Sequence, residues 1–318
     1  MNTTKKVIAV AGATGSQGGG AAAAILDDPD SPFTVRALTR NPDSAAAQEL
    51  SSRGAEVVRA DFGDEASLVA AFDGAYGAFL VTNFWAHGSA DQESLEIAHL
   101  ASAASTAGLH HVVWSTLEDT RELLPIEDER MPVLQDRYNV PHFDAKGEGN
   151  ERFTQAGVPT TFLNTTFFYQ GFLDGVEPRR GEDGELTLSI PFEDGKLLAG
   201  IDVRDIGRTA YEILRRGEEF IDQTVSIAGD CLTGQEYADI IGDALGEPVR
   251  FQPVPYDVFR KFDIPAAEEF GNMFQYYGDF DAQFTGARDL AKVRAINPAL
   301  KDFRTWAQEN VQALRNAV

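Results

Sequence analysis

The chain has 318 residues, 43% of them apolar, a single cysteine, and a formal charge of −23 from 50 acidic and 27 basic side chains. That size suits one large α/β domain or a domain with a smaller appendage, and one cysteine excludes an intrachain disulfide or a cysteine-built metal cluster. The acidic balance argues against DNA or RNA as a partner, since nucleic acids are held by basic patches, and no stretch reaches the ~20 apolar residues of a membrane helix.

Residues 1–6 run straight into an apolar strand at 7–11 and leave no room for a signal peptide, so a soluble cytoplasmic protein is expected. Next comes Gly12-Ala13-Thr14-Gly15-Ser16-Gln17-Gly18-Gly19-Gly20, followed by an alanine-rich helix at 18–28. Strand, glycine-rich turn and helix in that order make a phosphate site: the glycines let the backbone approach a pyrophosphate, and the helix N-terminus faces its charge. The spacing is G-x-x-G-x-x-G, so the first glycine is displaced from the common dinucleotide fingerprint. Gly12, Thr14, Gly15, Gln17 and Gly18 are assigned to the cofactor.

The second strand, 34–39, ends at Arg40, and Pro42 and Asp43 open a helix at 43–53. An acidic residue at that strand end would hold the ribose 2′-hydroxyl of NAD; an arginine pairs instead with a 2′-phosphate, so NADP is favoured over NAD. Asp43 and Ser44 bring no second positive charge. The third strand, 56–60, leads to Asp61-Phe62, where an acid commonly lies beside the adenine; the plainer reading has Asp61 capping the helix at 65–72. The fourth strand, 77–81, ends in Thr82-Asn83-Phe84-Trp85, with Thr82 and Asn83 facing ribose or phosphate and the aromatics lining a pocket or packing in the core. A helix at 89–107, a strand at 111–115, a helix at 144–156 and a strand at 160–163 complete an alternating pattern. Apolar runs in several of these strands fit a parallel sheet covered on both faces. The fold is therefore a doubly wound parallel Rossmann-type sheet.

Residues 119–141 carry three prolines and read as an excursion loop. Beyond 170 the pattern changes to a smaller α/β lobe, with short strands near 186–190 and 223–227 and helices near 203–216, 233–245, 256–262, 266–277 and 303–315. The expected division is 1–165 and 166–318, the two interleaved. His110 and His111 lie beside a buried strand without metal-ligand spacing. His87 and His99, twelve apart, have no cysteine or paired carboxylate to complete a site, so no metal is expected.

Several stretches resemble the NmrA-like group of atypical short-chain dehydrogenase/reductases, including its mammalian redox-sensor branch. They are the glycine turn, Thr39-Arg40-Asn41-Pro42, Val81-Thr82-Asn83, and above all His142-Phe143-Asp144-Ala145-Lys146-Gly147-Glu148; Asn272-Met273-Phe274 extends the likeness late into the chain. Catalytic relatives in the superfamily use Tyr-x-x-x-Lys, the lysine holding the nicotinamide ribose and lowering the tyrosine pKa. Here the frame reads His142-x-x-x-Lys146, with Ser115 near the usual serine. The resemblance implies NADP(H) binding, Lys146 on the ribose, and a dinucleotide-sensing regulator without reductase chemistry that acts on a protein partner. Its rival is an NADPH-dependent reductase of quinones or enones in which Lys146 and His142 are the catalytic candidates. Tyr138 stands as a substitute acid that spacing does not support. Asn164-Thr165-Thr166-Phe167-Phe168-Tyr169 closes over the nicotinamide in the family, which makes Phe168 a cofactor candidate; Phe143 and Phe168 either line the pocket wall or pack in the core. An isologous dimer is the default association. The charge, with only seven lysines, is that expected of a halophilic protein.

Overall fold

The computed structural model describes residues 5–318; the expectation about a leader falls partly on residues 1–4, outside the described residues. The chain divides into two compact units. One comprises Met1–Asp119, His142–Thr165 and Val203–Val225, the other Thr120–Pro141, Thr166–Asp202 and Ser226–Val318.

The first unit alternates strand and helix: β1 Lys6–Val10, α1 Ser16–Asp27, β2 Phe33–Thr39, α2 Ala45–Ser52, β3 Glu56–Arg59, α3 Glu65–Phe72, β4 Gly77–Leu80, α4 Ala90–Thr106, β5 His111–Thr116, α5 Pro141–Gln155 and β6 Thr160–Asn164, with α6 Val203–Arg216 following later. The strands form one sheet in the order β3-β2-β1-β4-β5-β6, extended beyond β6 by the edge strand Thr224–Ser226. β1 lies between β2 and β4 in parallel register, so the strand order reverses there. In an open α/β sheet that reversal opens a crevice at the carboxyl ends of the strands. This is the doubly wound α/β architecture that the alternation predicts.

Packing fixes the crevice. Ala9, Leu68, Phe72, Leu100, Trp114 and Phe153 are buried in one continuous core. α1 meets α6 through glycines: a Cβ on Gly207 would lie 2.2 Å from the Ala21 nitrogen. Backbone approach that close seats α1 directly on α6. Helix starts are capped by side chains, Ser44 for α2, Asp64 for α3 and Ser89 for α4. Two sequence expectations are corrected here. The α2 cap is Ser44 rather than Pro42-Asp43, and Asp64, not Asp61, caps α3, because its carboxylate reaches the free N–H groups of Ala66 and Ser67.

The second unit holds two three-stranded sheets and a set of helices. The helix Gly234–Leu245 has a reciprocal capping box between Thr233 and Glu236 and ends at Gly246 in the left-handed region. The helix read at 303–315 is two helices, Phe303–Glu309 and Val311–Ala317, parted at Asn310. The strand read near 223–227 pairs with β6 and so belongs to the main sheet. The excursion loop holds a single 3-10 turn, Thr120–Glu122, and an isolated bridge between Leu134 and Tyr138. Among the described residues no helix is long and apolar enough to cross a membrane.

Candidate functional site

The glycine turn builds a cradle that only glycine permits at two positions. Gly12 has φ +60° and receives the Gly15 N–H, closing the turn. A Cβ on Gly18 would lie 2.3 Å from the Ala11 carbonyl oxygen and 2.4 Å from that of Gly12. α1 starts at Ser16 after an extended Gly15, and no side chain caps it. Its first N–H groups therefore face the crevice unsatisfied by protein, the electrostatic requirement of a phosphate site. Thr14 and Gly15 are exposed at the rim, and Gln17 is half-buried. Gln17 Oε1 accepts a hydrogen bond of 2.6 Å from Ser115 Oγ at the end of β5. Two residues singled out separately are thus brought together.

Arg40 is exposed at the end of β2. Asp61 is exposed after β3, with Oδ1 turned to the Gly63 N–H at 3.0 Å. The carbonyl of Phe62 is tied to His99 Nδ1 at 2.8 Å. Beyond β4, Thr82 is buried and Asn83 exposed. Phe84 is buried in the turn Phe84–Ala86, whereas Trp85 is half exposed.

Lys146, on the second turn of α5, is buried and reaches the end of β4. Its Nζ lies 2.5 Å from Thr82 Oγ1 and 2.6 Å from Glu93 Oε1. Thr82 Oγ1 in turn donates to the same Glu93 oxygen at 2.5 Å. The Lys146 ammonium also sits 5.2 Å from the Trp114 ring centre, within cation–π range. Glu93 is wholly buried. A carboxylate there is tolerable only with its partners in place, since an unpaired buried charge is strongly disfavoured. Glu93 is not among the residues that the sequence singles out. A signal existed: Ala90, Glu93, Ile97, Leu100 and Ala104 fall on one helical stripe, and Glu93 is the only polar member.

His142, four residues before Lys146, is buried among aromatic rings, its ring centre 4.9 Å from those of Trp85 and Phe143 and 5.8 Å from that of Phe84. Tyr138 and Phe168 belong to the other unit. Tyr138 is buried with the Arg137 guanidinium over its ring, and Phe168 is half-buried in the strand Phe167–Phe168.

The expectation that His87 lacks paired carboxylates does not hold. His87, Glu93 and Glu96 converge, with His87 Nε2 3.5 Å from Glu93 Oε2 and 3.9 Å from Glu96 Oε2. Burial raises the Glu96 pKa, and the adjacent Glu93 charge adds to it. This is the one group of metal-ligand type among the described residues. However, the Ser89 N–H donates to His87 Nδ1 at 3.1 Å. A ring that accepts at Nδ1 carries its proton on Nε2 when neutral, so Nε2 then has no lone pair to offer a metal, and it makes no hydrogen bond to either carboxylate.

Residues 4–306 match the model of the NmrA-like family. The chain belongs to that family. It is 31% identical over 294 residues to an NmrA-like family domain-containing oxidoreductase of Aspergillus hancockii, covering 86% of this chain and 83% of the relative. An NAD(P)H azoreductase of Xenophilus azovorans is 32% identical over 77% of this chain and 76% of its own. Among solved structures, NmrA, a negative transcriptional regulator, superposes with TM-scores of 0.81 in complex with NAD and 0.79 in complex with NADP, covering 99% of both chains at 21% and 20% identity. At that identity the likeness concerns the fold.

Proposed function

We propose that this NmrA-like protein binds NADP(H) along the carboxyl ends of its parallel strands and serves as a reductase of small electrophilic acceptors such as quinones. The observation that carries the reading is the buried Lys146–Glu93–Thr82 cluster beside a glycine cradle that fits a pyrophosphate. Bound NADPH would supply the hydride. In the chain itself, α1 receives the pyrophosphate on its free N–H groups, and Arg40 meets the 2′-phosphate. Lys146 has two of its three N–H groups committed to Glu93 and Thr82; the Thr82 carbonyl, at 3.4 Å, is a long third acceptor. A ribose hydroxyl is the better partner for that third proton, so the cluster aims Lys146 at the nicotinamide end. The oxidoreductase names of relatives about as similar as 31% support turnover over sensing, reversing the order expected from sequence.

The sensing reading keeps one observation of its own: the aromatic cage around His142 offers no exposed acid where the superfamily has tyrosine. NADPH consumption measured with a panel of quinones, azo dyes and enones separates the two. Turnover abolished by Lys146→Ala is the expected result. Silence across the panel, together with tight NADPH binding, would leave the sensor.

A further inference from the structure

We infer that Arg59, at the end of β3, is a second ligand for the 2′-phosphate and sets NADP over NAD together with Arg40; this rests on the NADP reading above. The sequence offers no second positive charge in the residues following Arg40. The sheet supplies one from the neighbouring strand. β2 and β3 run parallel with Thr39 opposite Arg59, and the Ala60 N–H binds the Thr39 carbonyl at 3.0 Å, so both strands end at the same level. Arg59 Nε then donates to the carbonyl oxygen of Arg40 at 3.3 Å. One guanidinium therefore lies against the backbone of the residue that carries the other.

Both arginines are exposed. Nearby basic residues in the same unit are neutralised: Arg36 holds Glu56 at 2.7 Å and Arg53 holds Asp27 at 2.6 Å. Asp61, the nearest acid along the chain, turns Oδ1 to Gly63 instead. In a chain of charge −23, two exposed arginines at the ends of adjacent strands form a local exception. Nε of Arg59 is occupied by the carbonyl, which fixes the plane of the fork and leaves its terminal nitrogens for an anion. A phosphate dianion has oxygens enough to accept from both forks, whereas the 2′-hydroxyl of NAD engages neither strongly.

The test is calorimetric titration of the full chain and its variants with NADPH, NADH, 2′,5′-ADP and 5′-AMP at fixed ionic strength. Arg59→Ala should weaken NADPH and 2′,5′-ADP by about tenfold or more while leaving NADH and 5′-AMP within about twofold. Arg59→Gln keeps a donor for the Arg40 carbonyl but removes the charge, and should show the same selective loss. Thermal melts of both variants establish that they are folded. Equal losses for the phosphorylated and unphosphorylated ligands would mean that Arg59 only props the turn, and an unchanged NADPH affinity would mean that it touches nothing; either overturns the inference. If the wild type itself fails to prefer NADPH, and Arg40→Ala changes nothing, the parent reading fails instead.

Discussion

At the scale of the residue, the most consequential contact is that of Lys146 with Glu93. Removing one member of a buried pair leaves the other charged and unpaired, at a cost of about 3–5 kcal/mol. Glu93→Ala and Lys146→Ala should each destabilise the fold by that order in urea unfolding, while the paired replacement Glu93→Leu with Lys146→Met should recover most of it yet remain unable to bind the nicotinamide end. If the double variant binds NADPH as the wild type does, the cluster is structural only. A second residue-scale prediction concerns His111, wholly buried on β5 with Nε2 2.8 Å from Thr161 Oγ1. Burial lowers its pKa from 6.5 to about 4. Below pH 6.5 the unfolded chain takes up a proton that the folded chain refuses. The stabilisation is therefore complete above that pH and is lost as pH falls toward 4, a change on the order of 3 kcal/mol. Urea unfolding at about pH 7 and about pH 5 should show the decline, and His111→Gln should flatten its share of it.

At the scale of the element, neighbouring glycines of α1 have opposite roles. A Cβ at Gly18 strikes the Ala11 carbonyl at 2.3 Å, whereas one at Gly19 meets Ala13 at an ordinary 3.4 Å. Gly18→Ala should cost about 1–3 kcal/mol and abolish NADPH binding, because the turn must open to admit the methyl. Gly19→Ala should be neutral or stabilise by up to about 1 kcal/mol, by improving helix propensity, with binding retained. Parallel thermal melts and titrations of the two variants check the contrast. The strands and helices of the first unit were legible because each apolar run is long enough, and punctuated clearly enough, for period and turn signals to agree. Much of the second unit was not. Asp230–Leu232 is three residues long and Leu198–Ile201 four with an internal glycine, too short for alternation to register. Leu290–Ile296 is seven residues, barely two turns, and is marked chiefly by its Asp289 cap. The same limit applies to the site. The glycine turn and Lys146 stand in recognisable local frames, while Glu93 and Arg59 acquire meaning only through partners that the fold brings from other elements.

At the scale of the whole molecule, charge dominates. Self-repulsion from −23 destabilises the compact state in dilute salt, and at ~1 M ionic strength the screening length falls to about 3 Å. The melting temperature should therefore climb substantially between dilute and molar KCl; a flat profile would remove the halophilic reading. The same charge opposes the approach of an anionic dinucleotide, which makes the local positive features of the crevice decisive for affinity: the α1 N-terminus and Arg40. These features should bind a nicotinamide dinucleotide and prefer the one bearing a 2′-phosphate. Calorimetric titration of the wild-type chain with NADPH, NADP, NADH and NAD in molar KCl tests it directly. Both phosphorylated forms should bind at least about tenfold more tightly than their unphosphorylated counterparts. Equal affinities for all four, or tighter binding of NAD and NADH, would contradict it.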